Sequence, residues 1–377
     1  MEKLPDAVLE VLETLEQAGG EAYLVGGCVR DRLLGRPVHD WDLCTSLRPE
    51  RVQAAFPHTV PTGLRHGTVT VLHGGRAFEV TTYRTDGAYR DHRRPDRVTF
   101  GTSLREDLLR RDFTVNAMAM DAAGQVTDCF GGREDLRAGV LRCVGDPDRR
   151  FSEDALRILR AVRFSVQLGF GIEAETEAAM ARCAPGCADL SAERVRDEVE
   201  KILCSTVPER LGQLIGLGVL ARFGLAEKLD LTPLRRLPPE PAARWAGLSL
   251  LTGCELRALR LDRVTVRLAE GAAACRAGGD AVTLKAMAAA NGWAALRCAA
   301  LLGGFPEAVE AIAASGDCVM LRDLAVSGAD FPDVRGPALG ELLRALLADV
   351  WAEPRHNDRA YLLARADAYG QELRKNL

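Results

Sequence analysis

The feature that most constrains the fold is a change of hydrophobic period near residue 151. Before it, apolar residues come in short runs broken by Gly and Pro: 22–25, 38–43, 68–72 and 77–83. These runs read as strands. Gly74-Gly75, between the last two, predicts a hairpin turn. Val8, Leu9, Val11, Leu12 and Leu15 space an amphipathic helix over 6–18, and a second helix is expected from Gly26 through Leu34, ended by the turn Gly35-Arg36-Pro37. After residue 151, Leu, Ala and Arg recur with a 3.6-residue period over 152–168, 192–203 and 208–223. The Pro-rich stretch 232–241 reads as a linker or long turn, and helical patterning resumes after it. The expected class is α+β: a mixed, mostly antiparallel sheet with helices, followed by a long all-α portion.

At 377 residues the chain should form more than one domain. No apolar run is long enough to span a membrane. Met1-Glu2-Lys3-Leu4-Pro5 lacks the apolar core of a signal peptide. A cytoplasmic protein without a membrane partner is expected. The eleven cysteines are scattered and form no Cys-x-x-Cys pair, so they read as reduced thiols packed as small apolar residues rather than as zinc ligands. A net charge of −4 taken alone argues against nucleic-acid binding. Contacts, however, are governed by local patches within a Debye length of about 8 Å. The excess of arginine over lysine favours forked recognition of phosphates and base edges.

Chemistry concentrates in three places. The first is Gly26-Gly27, Arg30-Asp31 and Asp40-Trp41-Asp42. Glycines let backbone approach phosphates, and N–H groups at a helix start face anions. On a strand over 38–43, Asp40 and Asp42 point to one side with Cα atoms roughly 6.5–7 Å apart. There they could hold Mg²⁺ against a triphosphate. An isolated Asp-x-Asp reads first as a polar strand end or helix cap; the preceding glycines and Arg30 turn the reading toward phosphoryl chemistry. Glu79 is a third metal-side acid, an orienter of the attacking hydroxyl, or an edge-strand surface residue.

The second place is Arg110 through Asn116. Arg111 would face the triphosphate, and Asp112 or Asn116 could bind sugar hydroxyls. The segment also reads as a helix start capped by Asp112 or Thr114, leading into an apolar helix over 117–120. The third is Glu153 through Arg163. Ala155, Leu159, Val162 and Val166 form the apolar stripe of a helix, with Asp154 and Arg157 one turn apart on another face. That pair is either an i,i+3 salt bridge worth about 0.2–0.5 kcal/mol or a reader of base edges. As a reader, the carboxylate accepts from the amino group of C or A, and the guanidinium donates to a ring acceptor. Arg160 and Arg163 follow at spacing three, toward phosphates or RNA.

These motifs, in this order and spacing, resemble the class II tRNA nucleotidyltransferase and bacterial poly(A) polymerase family. The resemblance rests on residues 24–35, Asp40-Trp41-Asp42-Leu43, Arg110 through Ala117, Phe130 through Leu136, Glu153 through Arg163 and Glu193 through Glu198, and reaches to about residue 205. It implies a nucleotidyltransferase head over 1–137, a base-recognising neck over 138–205, a helical body over 206–270 and a tRNA-binding helical tail over 271–377. It implies Mg²⁺ on Asp40 and Asp42, triphosphate contacts from Gly27, Arg30 and Arg111, and Asp112 in the nucleotide site. Asp154 and Arg157 would be a protein template for C and A, lined by Arg160 and Arg163 and supported by the helix over 193–198.

The implied activity is untemplated addition of C, C and A to a tRNA 3′ end from CTP and ATP, with release of pyrophosphate. Relatives differ in product: some add only CC, some only A, and some make poly(A). The loop 84–96 reads as full length, unlike that of CC-only relatives. The ending at 372–377 lacks the long basic extension usual in the poly(A) polymerases. A-only addition stays open. A reading of another class, an inactive RNA-binding module on this fold, would need a broken Asp-x-Asp or Arg-Arg-Asp motif. A homodimer is expected by family analogy. Residues 328–331, 336–340, a helix over 342–350 and Asn357 look like the tail of the shorter CCA-adding type, while 232–320 matches no quoted pattern.

Overall fold

The computed structural model describes residues 3–87, 98–101, 103–226 and 229–375. They divide into two compact units, 1–202 with 213–222, and 203–212 with 223–377.

The first unit opens with α1 (Asp6–Gln17), whose stripe Val8, Val11, Leu12 and Leu15 is fully buried. It is followed by β1 (Ala22–Val25), α2 (Gly27–Leu33), β2 (Asp42–Thr45), α3 (Pro49–Ala55), β3 (Thr59–Gly63), β4 (Thr68–His73) and β5 (Arg76–Thr82). Gly74 and Gly75 take φ of 55° and 73° between β4 and β5, the left-handed pair a two-residue hairpin needs. β6 (Arg84–Asp86) and β7 (Val98–Phe100) pair separately; the loop expected over 84–96 lies largely outside the described residues. After α4 (Leu104–Leu109) come β8 (Met118–Met120) and β9 (Val126–Asp128). The sheet has seven strands in the order β3-β4-β5-β2-β1-β8-β9, with β2–β5 the one parallel pairing. The expected mixed, mostly antiparallel sheet is therefore present.

Two expectations for this sheet need correction. Residues 117–120 are not a helix: β8 is a strand buried along its length, pairing Leu24↔Met120 and Val25↔Ala119. A short, wholly apolar run has no period to separate the two structures. The strand expected over 38–43 begins only at Asp42. Its neighbour β1 ends at Val25, where Gly26 turns the chain into α2, so residues 38–41 have no strand beside them on that side.

The rest of the first unit is helical. It contains α5 (Gly132–Ala138), the short parallel pair β10 (Val140–Leu141) and β11 (Gly171–Ile172), α6 (Pro147–Glu153), α7 (Leu156–Leu168), α8 (Ala174–Cys183), all but the last residue of α9 (Ala192–Leu203), and α10 (Leu211–Gly216) from Gln213 on. One core cluster joins Val25, Cys44, Ala117 and Ala119 of the sheet region to Leu108 and Val144.

The second unit holds α11 (Pro241–Thr252), α12 (Arg263–Ala274), α13 (Ala281–Asn291), α14 (Trp293–Gly303), α15 (Pro306–Ala314), α16 (Pro337–Ala352) and α17 (Arg359–Lys375). The stretch 232–241 is not a linker. Thr232–Arg236 forms a 3₁₀ turn whose Leu234, with Leu237 after it, is buried on Gly247 of α11. A Cβ at Gly247 would lie 2.2 Å from Leu237 Cδ1. Asn357 ties the far end together, donating to Asp323 O and accepting from Ala325 N. No described helix is long and apolar enough to cross a membrane.

Candidate active site

The end of β2 places Asp42 beside Glu79 of β5 in parallel register. Asp40 stands two residues earlier, outside the strand and exposed. The pair therefore gains its proximity from a loop entering a strand, not from alternate positions of one strand. Burial pushes the Asp42 carboxyl above its ordinary value; Glu79 and Asp40 add to this and Arg111 opposes it. Crowded carboxylates of this kind are relieved by a cation, and an all-oxygen donor set suits Mg²⁺. Asp40 and Asp42 fit that role. Among the described residues no group of three His, Cys, Asp or Glu comes close enough to hold a metal. Glu79 acts on Asp42 through its charge.

Gly26 makes this geometry possible. It has φ 82° and ψ −135°, a conformation open in practice only to glycine. A Cβ there would sit 3.2 Å from Arg111 Nη1 and 4.0 Å from Asp42 Oδ2. The Arg111 guanidinium thus lies against the turn into α2. Arg111 Nη2 donates to Asp107, 3.3 Å away, which also receives Arg110. Asp107 is fully buried. Burial alone would raise its carboxyl, but Arg110 and Arg111 outweigh it and hold the group low. Asp107 was not among the expected site residues; its spacing of three and four from Arg110 and Arg111 was the available signal. Arg111 Nε is buried and finds no partner among the described residues.

Beyond α2 three arginines surround one ring. The guanidinium carbons of Arg30, Arg160 and Arg163 lie 5.3, 5.1 and 3.8 Å from the centroid of Phe164. Each has its own acceptors. Arg30 forks onto Asp31 and donates to Asn116 Oδ1 at 2.6 Å. Arg160 donates to Asp112 Oδ2 through Nε at 2.8 Å and pairs with it through Nη2 at 2.6 Å. Arg163 pairs with Glu198 of α9 and Gln167. Asp112 also accepts from Phe113 N and Asn116 Nδ2, so it caps no helix and is buried. Burial pushes its carboxyl up, but Arg160 and Asn116 outweigh that and hold it at about 2. Gly27 lies beside this cluster; a Cβ there would be 3.5 Å from Arg30 Nη2. Phe164 was unforeseen because an aromatic next to a stripe of Leu and Val reads as ordinary core.

Asp154 and Arg157 do not share a helix face. Asp154 sits between α6 and α7 with φ −145° and ψ 101°, and accepts from Leu156 N at 3.1 Å. Arg194 of α9 forks onto its carboxylate at 2.9 and 3.3 Å. Arg157, buried, donates to Arg150 O, Arg110 O and Glu153, each at 2.9 Å. The i,i+3 salt bridge is absent because the helix begins after Asp154. Arg157 instead ties the Arg110-Arg111-Asp112 turn to the α6–α7 junction, with Asp154 held next to it from α9.

Residues 22–142 match the poly A polymerase head domain, and residues 169–227 match the probable RNA and SrmB-binding site of polymerase A. The CCA-adding enzyme of Lactobacillus helveticus is 54% identical over 205 residues, covering 54% of this chain and 51% of that protein. The CCA-adding enzyme of Geobacillus stearothermophilus is 47% identical over 270 residues, covering 68% and 67%. These matches span about half to two thirds of the relatives' length. The crystal structure of the Bacillus stearothermophilus CCA-adding enzyme in complex with CTP superposes with a TM-score of 0.77 at 35% identity, covering 98% of both chains. The chain belongs to the class II tRNA nucleotidyltransferase and poly(A) polymerase family.

Proposed function

We propose that this protein adds C, C and A to the 3′ end of tRNA, using CTP and ATP and releasing pyrophosphate. The observation that carries the reading is the convergence of Asp42, Arg111 and the Gly26 turn within about one side-chain length. An acidic pair beside a clamped guanidinium suits the meeting of a triphosphate with its attacking hydroxyl. The likeness to an enzyme solved with CTP supports the substrate class.

Asp40 and Asp42 would hold Mg²⁺, which when bound supplies Lewis-acid polarisation of the α-phosphate and a more acidic ribose hydroxyl. Arg111, fixed by Asp107, offers unused donors to the β- and γ-phosphates. Arg30 and Gly27 border the same anion path. Glu79 would orient the attacking hydroxyl. Asp154 and Arg157 read the base: Arg194 holds the one and two backbone carbonyls hold the other, so neither needs to reorganise when a base arrives. Arg160, paired with Asp112, and Arg163, paired with Glu198, wall the site against Phe164. The head, neck, body and tail division, cytoplasmic location and dimerisation belong to the same reading.

Purified protein is given two tRNAs, one lacking CCA and one ending in CC, with CTP, ATP or both. Growth of the first by three nucleotides is expected. Growth of the second alone would make the enzyme A-adding, and long tails would make it a poly(A) polymerase.

A further inference from the structure

The loop that carries Asp40 is held by few contacts. Residues 36–41 lie outside any helix or strand. Among the described residues, Pro37 through Asp40 make no hydrogen bond or ion pair. A cavity of about 810 Å³ is lined in part by Arg36, Pro37, Val38 and Trp41, so on that side the loop meets open space rather than packed protein. Arg36 is the exception. Its backbone N–H donates to Asp31 O of α2 at 2.8 Å. Its guanidinium reaches α7, donating to Gln167 O at 3.2 Å and Leu168 O at 3.3 Å.

Those two carbonyls belong to the last turn of α7, where carbonyls lack partners within the helix and a cation is favoured. Gly169, at φ 74°, ends the helix just beyond them. Gln167 is also held from a second direction, since its Oε1 accepts from Arg163 Nη1 at 2.8 Å. α7 has 13 residues and is therefore about 20 Å long. Its other end is fixed by Arg157, which donates to Arg110 O and Arg150 O. One helix thus braces two parts of the site. The turn that carries Arg111 is tied to its start, and the loop that carries Asp40 is tied to its end.

We infer that Arg36 is a positioning residue for nucleotide transfer: its clamp on the last turn of α7 keeps the Asp40 loop in register with the helix that carries Arg157. This role rests on the proposed function, in which Asp40 serves the triphosphate and Arg157 reads the base. Arg36 acts through the loop, by fixing where the Asp40 carboxylate stands when a base is seated. A misplacement of about 1 Å at a reacting centre can cost about 10²-fold in rate.

The test compares Arg36→Met with Arg36→Lys in the full chain. Methionine keeps the aliphatic stem and removes the donors, whereas lysine keeps a cation for the same carbonyls. CTP incorporation into tRNA lacking CCA is measured as kcat and KM. Arg36→Met should lower kcat about tenfold or more, with KM for CTP changed by less than about twofold. Its melting temperature should match the parent's, because Arg36 is exposed. Arg36→Lys should recover most of kcat. The loop is also read directly, without substrate, in chain labelled with ¹⁵N-tryptophan. The Trp41 Nε1–H resonance is assigned by its loss in Trp41→Phe. Relaxation dispersion should show new μs–ms exchange at this resonance in Arg36→Met and the parent's profile in Arg36→Lys. An unchanged kcat in Arg36→Met overturns the inference, as does a lysine variant no faster than the methionine one. So does a loss of kcat in Arg36→Met without new exchange at Trp41. If the unsubstituted chain adds no nucleotide, the proposed function fails, and the Trp41 resonance still decides whether Arg36 holds the loop.

Discussion

Replacing Arg160 with methionine keeps the stem that packs on Phe164 and removes the guanidinium that pairs with Asp112. A carboxyl held at about 2 instead of its ordinary 3.8 has its ionised form favoured by about 2 kcal/mol. Breaking a buried pair commonly costs about 3–5 kcal/mol. The Arg160 side chain is 35% exposed, so water replaces part of its role, and the expected loss is nearer 2–3 kcal/mol at pH 7. In the parent, a depressed carboxyl contributes stability that is present above its unfolded pKa of 3.8 and is lost as pH falls toward 2. Without Arg160, burial is opposed chiefly by Asn116 and Arg157, so in Arg160→Met the carboxyl should rise from its depressed value. The uncompensated charge then destabilises at neutral pH and is relieved on acidification. The difference between parent and variant should therefore be largest near pH 7 and shrink clearly by about pH 4.5. Urea unfolding at both pH values measures it, and hydrogen exchange of α7 peptides locates it. An equal loss at both pH values would refute the reasoning, as would an Asp112→Asn/Arg160→Met double variant no more stable than Arg160→Met.

Three further outcomes follow from the same geometry. Asp42→Asn should lower nucleotide incorporation on the order of 10³-fold or more while tRNA binding, measured by filter retention, survives; loss of binding would count against a metal-holding role. Gly26→Ala should cost about 1–3 kcal/mol in urea unfolding, because its backbone conformation excludes a side chain, and should also lower kcat by displacing Arg111; unchanged values for both would show the turn is not constrained. Arg157→Lys keeps the charge but loses the fork, so misincorporation of G and U should rise more than the KM for CTP, in competition assays with mixed nucleotides; strict C and A selection would remove Arg157 from base reading.

Much of this molecule is written in residue order. The hairpin at Gly74-Gly75, the buried stripe of α1 and the shift to helix after residue 151 follow from local rules of period and φ, which need no distant partner. The site motifs are legible for the same reason, since Gly-Gly, Asp-x-Asp and Arg-Arg-Asp are chemical statements made by neighbours in the chain. What escaped local reading depends on residues far apart. Whether 117–120 became helix or strand was settled by β1 offering it an edge. Where the strand at Asp42 began was settled by where β1 ended. Asp154 left its helix for a fork from Arg194, 40 positions on, and Arg157 turned to a carbonyl 47 positions back. Residue order alone supplied the chemical groups and their local backbone, because those respond to nearest neighbours. Folding assigned each charge its partner, because burying a charge is tolerable only beside an opposite one, and that partner can lie anywhere along the chain.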